Sequence, residues 1–332
     1  MPDARPNIRS VAEAAGVSHQ TVSRVLNGHP SIRPETRARV LEVIESVGYR
    51  RSGAAVALAT RRTRRLGVLV DSAFEYGPNA TLHAVEQAAR AAGYGVVAAE
   101  VDEQRSVSAH DAVEHLIGQG VDALCVVAPR STSVDLLREA ATGLPTLVVK
   151  PGGDDTFLTL SVDQRRGAEL AVQHLIDLGH RDILHVAGPA DWLDARERER
   201  GWRDRLAAAG LAVREPLVAG WTADDGYAAA RSLDLDATAV FAANDRLALG
   251  VVHGLADAGI RVPDQVSVIG FDDVPDARHF LPPLTTVRQD FGALGTRAVA
   301  TLLAALEGAA VQHEPIVPEL VVRSTTARPQ RS

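Results

Sequence analysis

The sequence predicts a small all-α head followed by an α/β core of two lobes, and three observations carry that reading. Residues 8–48 place their apolar side chains at helical spacing, interrupted by glycines. From residue 66 onward short apolar runs alternate with amphipathic stretches of helical length. Charge divides the chain at the same place. Of 35 basic and 42 acidic side chains in 332 residues, 12 arginines and five acids fall in the first 65, which leaves +7 there and −14 on the remainder. A basic head on an acidic body is the electrostatic footprint of a nucleic-acid-binding module joined to something that stays off nucleic acid.

In the head, Ile8, Val11, Ala12 and Ala15 form the stripe of a first helix, and Gly16 supplies the positive φ of a tight turn. Ser18 is placed to N-cap a second helix whose Val22, Val25 and Leu26 face inward. His19, Gln20, Ser23 and Arg24 are left on its outer face. A third helix opens at Pro34 with Glu35 in its first turn, is carried by Val40, Val43, Ile44 and Val47, and closes at Gly48. Three short helices with a polar outer face on the second make a helix-turn-helix, whose recognition helix enters the major groove by its N-terminus. The head thus spans 1–49. Residues 50–62, RRSGAAVALATRR, form an alanine-rich segment weakened by Gly53, too short to be a stable helix alone in water.

The core begins at 63. RLGVLV, YGVVAAEV, ALCVVA and PTLVV read as strands, with helices near 78–92, 107–118 and 133–141 between them. The pattern repeats with DILHVAG, a helix in 194–209, a strand near 216–220, a helix at 223–233, TAVFAA, a helix at 245–258 and VSVIGFD. Such alternation implies parallel sheets covered on both faces. The single cysteine, Cys125, sits in one of the apolar runs, so it is expected in the core, and a chain without disulfides suits a reducing cytoplasm. The N-terminus lacks the apolar region of an export signal and no apolar run reaches the roughly 18 residues a membrane span needs. A cytoplasmic location is therefore expected. Catalytic signatures such as G-x-S-x-G, a phosphate-binding P-loop or G-x-G-x-x-G are missing. His110 and His115 lie five apart, about 140° around a helix of about 3.6 residues per turn, so they cannot share a metal ion. An enzyme is not expected, and no cofactor or metal is implied.

The string VAEAAGVSHQTVSRVLNG, followed by SIRPETRARVLEVIESVGY, resembles the DNA-binding head of the LacI/GalR family of bacterial transcription regulators. AGPADWLDARERERGW (187–202), GWTADDGY (220–227), AANDRLALG (242–250), VIGFDD (268–273) and PPLTTVRQDF (282–291) match family segments in order, so the resemblance covers about residues 6–328. It implies that His19, Gln20 and Arg24 read base edges, which suits an amide, a guanidinium and an imidazole. Ser18, Thr21, Ser23 and Asn27 are placed for phosphates. It implies a hinge in which Leu58, with Ala55 beside it, wedges into the minor groove, although Arg51 and Ser52 replace the family's proline and asparagine.

For the core the resemblance implies two Rossmann-like lobes of the type I periplasmic-binding-protein kind: lobe 1 about 63–162 and 291–318, lobe 2 about 163–290 and 319–328. A ligand cleft between them would draw on Asp71, Tyr76 and Pro78 from lobe 1, and on Trp192, Asp194, Arg198, Trp221, Asn244, Asp272, Gln289 and Phe291. Glu103, Val127 and Lys150, the only lysine, stand where galactoside-binding members carry other polar contacts; Arg196 and Asp163 read as structural pairs. The implied function is a homodimeric repressor of carbohydrate-utilisation genes that binds a pseudo-palindromic double-stranded operator. A mono- or disaccharide in the cleft would control it. The alternative is a sugar- or nucleobase-binding protein of the same fold that acts as a corepressor-type regulator or as a non-regulatory binding protein. No leucine-heptad tail follows ELVVRST, so a dimer is expected and not a coiled-coil tetramer.

Overall fold

A computed structural model of the chain describes residues 6–49, 62–72, 74–101, 108–139, 142–233, 237–309 and 314–330. Ala55 and Leu58 of the hinge, and Glu103, lie outside the described residues. The chain divides into two compact units, Met1–Arg64 and Arg65–Ser332.

In the first unit, helices α1 (Ile8–Ala14), α2 (His19–Leu26) and α3 (Pro34–Ser46) surround one small core. Asn7 caps α1 by accepting from the Arg9 and Ser10 amides at 2.9 and 3.1 Å, while Ser10 Oγ accepts from the Asn7 amide at 2.9 Å. Gly16, at φ +63°, turns the chain so that Val17 N reaches Ala12 O at 3.0 Å. Ser18 then caps α2, accepting from the Thr21 amide at 3.1 Å. Val11, Ala12, Ala15, Val22, Val25 and Val40 are buried together, and Ile8, Leu26, Val43 and Val47 pack around them.

In the second unit, lobe 1 runs β1 (Arg65–Asp71), α4 (Tyr76–Ala91), β2 (Gly95–Val101), α5 (Ala109–Gly118), β3 (Ala123–Val127), α6 (Ser131–Glu139), β4 (Thr146–Val149) and β5 (Leu158–Leu160). Its sheet is wholly parallel in the order β2-β1-β3-β4-β5. Every β1 residue after Arg65 is buried, as a central strand covered on both faces requires. Cys125 is fully buried in β3, and burial pushes its thiol up to about 12, which keeps it unreactive.

Lobe 2 runs α7 (Gln164–Leu178), β6 (Ile183–Ala187), α8 (Leu193–Ala208), β7 (Leu217–Val218), α9 (Ala223–Ala230), β8 (Ala239–Ala242), α10 (Asp245–Asp257), β9 (Ser267–Asp272) and β10 (Thr285–Arg288). The chain then recrosses. Helix α11 (Phe291–Leu306) packs its Leu294, Ala298, Val299 and Leu302 on the lobe 1 core, with Gly295 against the Ala84 backbone. After Ile316 bridges to Val162, β11 (Glu319–Val321) pairs antiparallel with β10 and closes the order β11-β10-β9-β8-β6-β7.

Several boundaries differ from the sequence reading. Helices α4 and α6 begin two residues before the expected starts, and β7 holds two residues instead of five. Pro216, with no N–H to give a ladder, precedes this short edge strand. Helix α7 was not anticipated, although Ala168, Ala171, Val172 and Leu175 bury its inner face at helical spacing. No helix among the described residues is long and apolar enough to cross a membrane.

Candidate ligand cleft and nucleic-acid face

On the head, Val22 and Val25 hold one side of α2 in the core, which turns His19, Gln20 and Arg24 outward; all three are exposed. Ser18 Oγ lies 2.9 Å from Thr21 Oγ1, and Asn27 Nδ2 donates to Ser23 Oγ at 3.5 Å, so the small polar residues order both ends of α2. Arg37 ties the 28–33 loop to α3 by donating to His29 O at 2.9 Å. This face offers an amide that can donate and accept together, a forked cation and an imidazole within two turns of a helix start.

In the core, the strand ends of both lobes meet at a cleft enclosing about 680 Å³, its mouth included. Strand C-termini are where open α/β sheets place small-molecule sites. Tyr76, Pro78, Trp192, Asp194, Arg198, Trp221, Asn244, Asp272, Gln289 and Phe291 line it together. Val127 and Lys150 line it too.

At its floor is a buried polar chain. Arg198, 4% exposed, donates from Nε to Gln164 Oε1 (2.9 Å) and from Nη1 to Ala243 O (2.5 Å), and its Nη2 lies 3.6 Å from Asp272 Oδ1. Gln164 Nε2 donates to Gln289 Oε1 at 2.8 Å, and Gln289 Nε2 to Asp272 Oδ1 at 2.7 Å. The guanidinium stacks on Phe271, 3.9 Å above the ring centre. Burial pushes the Asp272 carboxyl up to about 6 even though Arg198 and Gln289 favour its charged form. Its backbone, at φ +115°, is held in a region that side-chain-bearing residues rarely enter. Asp245 lies behind it, accepting from Thr286 Oγ1 and the Val274 amide; burial and the nearby Asp272 charge raise it well above the carboxylate range. Burial also raises Asp194.

Two aromatic pairs face the same space. Trp192 and Trp221 meet edge to face at 5.1 Å, and Tyr76 and Phe291 at 5.8 Å. The Trp221 indole N–H is buried and meets no acceptor among the described residues, so a ligand oxygen could satisfy it.

The structure corrects the reading of Asp71. It does not line the cleft: its carboxylate accepts from Arg130 Nε at 3.0 Å, from Arg130 Nη2 at 2.5 Å, from Ser133 and from Ser72 at 2.9 Å. Burial raises its pKa, but these donors outweigh burial and hold it below the usual value. Arg130 stands 59 residues downstream, and nothing in the local pattern announces that it folds back onto the end of β1. Asn244 is partly spent as well: its Oδ1 caps α10 at Leu247 N (2.8 Å) and its Nδ2 donates to Trp221 O (3.2 Å). One amide hydrogen and one lone pair remain. Lys150 Nζ is tied to Gly153 O at 3.0 Å and lies 3.5 Å from Asp154. Asp163 caps α7 through the Arg166 amide, and Arg196 is exposed.

Sequence reasoning missed Glu75 and Gln164. Glu75 is a buried wall residue of lobe 1, 3.5 Å from Arg246 of lobe 2, and its carboxyl is raised by burial. Gln164 had a signal, since it follows the capping aspartate at the first crossing between lobes.

Comparison with known proteins agrees with this architecture. Residues 7–52 match the model of bacterial regulatory proteins of the lacI family, and 172–326 that of a periplasmic binding protein-like domain. The lactose operon repressor of Escherichia coli K12 is 32% identical over 324 residues, covering 96% of this chain and 90% of that protein. The transcriptional repressor PurR of Pasteurella multocida is 33% identical over 329 residues, covering 96% and 98%. The crystal structure of the lac repressor dimer bound to operator and the anti-inducer ONPF superposes with a TM-score of 0.84 at 31% identity, over 97% of this chain and 99% of that one. With a helix-turn-helix head, a two-lobed ligand cleft and near-full-length identity above 30%, the chain belongs to the LacI family of bacterial regulatory proteins and is a DNA-binding transcriptional regulator, not an enzyme.

Proposed function

We propose that the protein is a dimeric repressor that places one head on each half-site of a pseudo-palindromic operator and is controlled by a mono- or disaccharide held between its lobes. The cleft carries this reading. Sugar hydroxyls donate and accept, which suits the buried Arg198–Gln164–Gln289–Asp272 chain and the unpaired Trp221 N–H, while sugar C–H faces suit flat aromatic walls. Tyr76, Pro78, Trp192 and Phe291 supply the apolar surface; Asp194, Arg198, Asn244 and Asp272 supply the polar contacts. Ligand affinity that differs between open and closed lobes shifts the population of dimer geometries, and so the spacing of the heads. Residues 50–62 are the hinge in this scheme, with Leu58 as minor-groove wedge and Ala55 beside it.

A thermal-shift screen of the full-length protein against mono- and disaccharides, with purines and sugar phosphates as controls, tests the ligand class. Ligand at ~100 times its dissociation constant stabilises by about 2.7 kcal/mol. A sugar that raises the melting temperature supports the assignment; a response to purines alone moves the cleft to another ligand class.

The same cleft predicts a pH dependence. With its carboxyl raised to about 6, Asp272 takes up a proton between pH 7.5 and 5 and loses an acceptor, so saccharide affinity falls with pH in that window. Asp272→Asn should abolish the dependence in calorimetric titrations. The stability term has the opposite slope. A carboxyl raised in the fold binds its proton more tightly there than in the unfolded chain, so this contribution is fully present below 3.8 and is lost as pH rises through about 6.

At the head, His19, Gln20 and Arg24 read bases, and Ser18, Thr21, Ser23 and Asn27 position the helix on phosphates. Arg24→Ala should cost ~1–3 kcal/mol on the cognate operator and relax preference at one base pair. If only the salt slope changed in a binding assay, Arg24 would be a phosphate contact.

A further inference from the structure

The Asp71 carboxylate is too fully engaged to serve a ligand, and its partner leads across the cleft. Arg130 follows Pro129 just beyond the end of β3. The backbone at these two residues pairs with lobe 2: Leu193 N donates to Pro129 O at 2.7 Å, and Arg130 and Trp192 form an antiparallel bridge. Pro129 and Trp192 are both walls of the cleft. Among the described residues the lobes are therefore joined beside the ligand space by one rung of β-ladder, and the lobe 1 half of that rung is anchored through the Arg130 guanidinium.

The anchor is built for rigidity. Asp71 is 2% exposed and takes Arg130 in a two-pronged grip, which fixes the orientation of the guanidinium as well as its place. Ser133, in the first turn of α6, donates to the same carboxylate, so both sides of the 129–130 turn are tied to β1. Ser72, held at φ +60°, donates to Asp71 at 2.9 Å and lies 3.3 Å from Arg130 Nη2. A strained backbone of this kind persists only where its surroundings over-determine it.

We propose that Asp71 and Arg130 are positioning residues for the cleft: their ion pair presents the 129–130 backbone to Trp192 and Leu193, holds the lobes closed on this side and sets the Trp192 wall against the ligand. This rests on the reading of the cleft as the effector site. The pair itself stays clear of the effector. Its contribution is pre-organisation: the turn that must be ordered for closure is ordered before ligand arrives.

The test needs no ligand. Spin labels on Leu136→Cys and Arg200→Cys of the full-length protein, both exposed and on the helices flanking the rung, report the distance across the cleft; Cys125 is fully buried and stays unlabelled. With labelled chains diluted into excess unlabelled protein, so that each dimer carries one labelled chain, the parent should give one narrow distance distribution. Asp71→Asn and Arg130→Gln should each add a longer component, and the double variant should add no more than either single one. Arg130→Lys, which keeps the charge and loses the fork, should fall between and remains informative should the other variants fold poorly. Distributions that superpose on the parent, even with a lowered melting temperature, would reduce the pair to local stability and overturn the proposal. Since no sugar is present, this outcome is independent of whether the saccharide assignment holds.

Discussion

Arg198→Met should lower the unfolding free energy by about 3–5 kcal/mol and abolish any effector response. The guanidinium is enclosed between Phe271 and the cleft floor, and it holds Gln164, Ala243 O and Asp272 in one arrangement. Methionine fills similar space but leaves two acceptors unpaired and a carboxylate without its countercharge. Urea titration of the full-length protein measures the loss. The companion double variant Arg198→Met/Asp272→Asn separates the causes. Removing the orphaned charge should restore much of the stability, because a buried pair replaced whole costs far less than one broken in half. Ligand binding in the cleft should stay lost. If the single variant unfolds at the parent's urea midpoint, water reaches the site and the buried network carries little energy.

Gly250→Ala is the second large effect. Helices α9 and α10 cross so closely that a Cβ on Gly250 would stand 1.9 Å from Ala223 O and 2.6 Å from Tyr227 N. The reciprocal approach is as tight: a Cβ on Gly226 would stand 2.2 Å from Leu247 O. These obstacles are backbone, so no rotamer change can make room. The cost should reach or exceed the upper end of the ~1–3 kcal/mol typical of overpacking. The damage also reaches the ligand, because α9 follows directly after Trp221 and α10 after Asn244, two walls of the cleft. Gly118→Ala is the control: it lies in α5 with nothing within 4 Å of the added carbon, and should leave stability unchanged or improve it by up to about 1 kcal/mol through helix propensity. Equal denaturant midpoints for the two variants would mean that the helices part without cost.

The head was legible because each of its signals is local. Gly16, Ser18 and Pro34 act on neighbours within three residues, and the outward side of α2 follows from where its valines must go. The expectation of a cleft came in a different way, from the resemblance to a known family. Short strings such as AANDRLALG and VIGFDD mark strand ends, and strand ends converge in this kind of fold. What stayed hidden were partnerships made at long range. Asp71 finds Arg130 59 positions away, Gln164 finds Gln289 125 positions away, and Glu75 meets Arg246 from the opposite lobe. Each is polar and each is buried on a surface that exists only once the chain has crossed between lobes. Helix α7 is the converse case: Ala168, Ala171, Val172 and Leu175 stand at helical spacing in the sequence itself, and the signal is local.

Gln164 opens the helix that follows the first crossing between lobes, and Gln289 lies just before the helix that follows the second. The hydrogen bond between their side-chain amides therefore ties two of the connecting segments to each other at the floor of the cleft. A rigid rotation leaves in place only the points on its axis. Both glutamines belong to lobe 2, so their bond fixes two of the crossing points relative to each other; a swing that strains none of the crossing segments has its axis close to them, and the mouth of the cleft travels farthest. The pivot of such a motion would then lie beside the polar floor of the cleft, so that a ligand hydroxyl bonded there acts near the fulcrum while the aromatic walls sweep the arc.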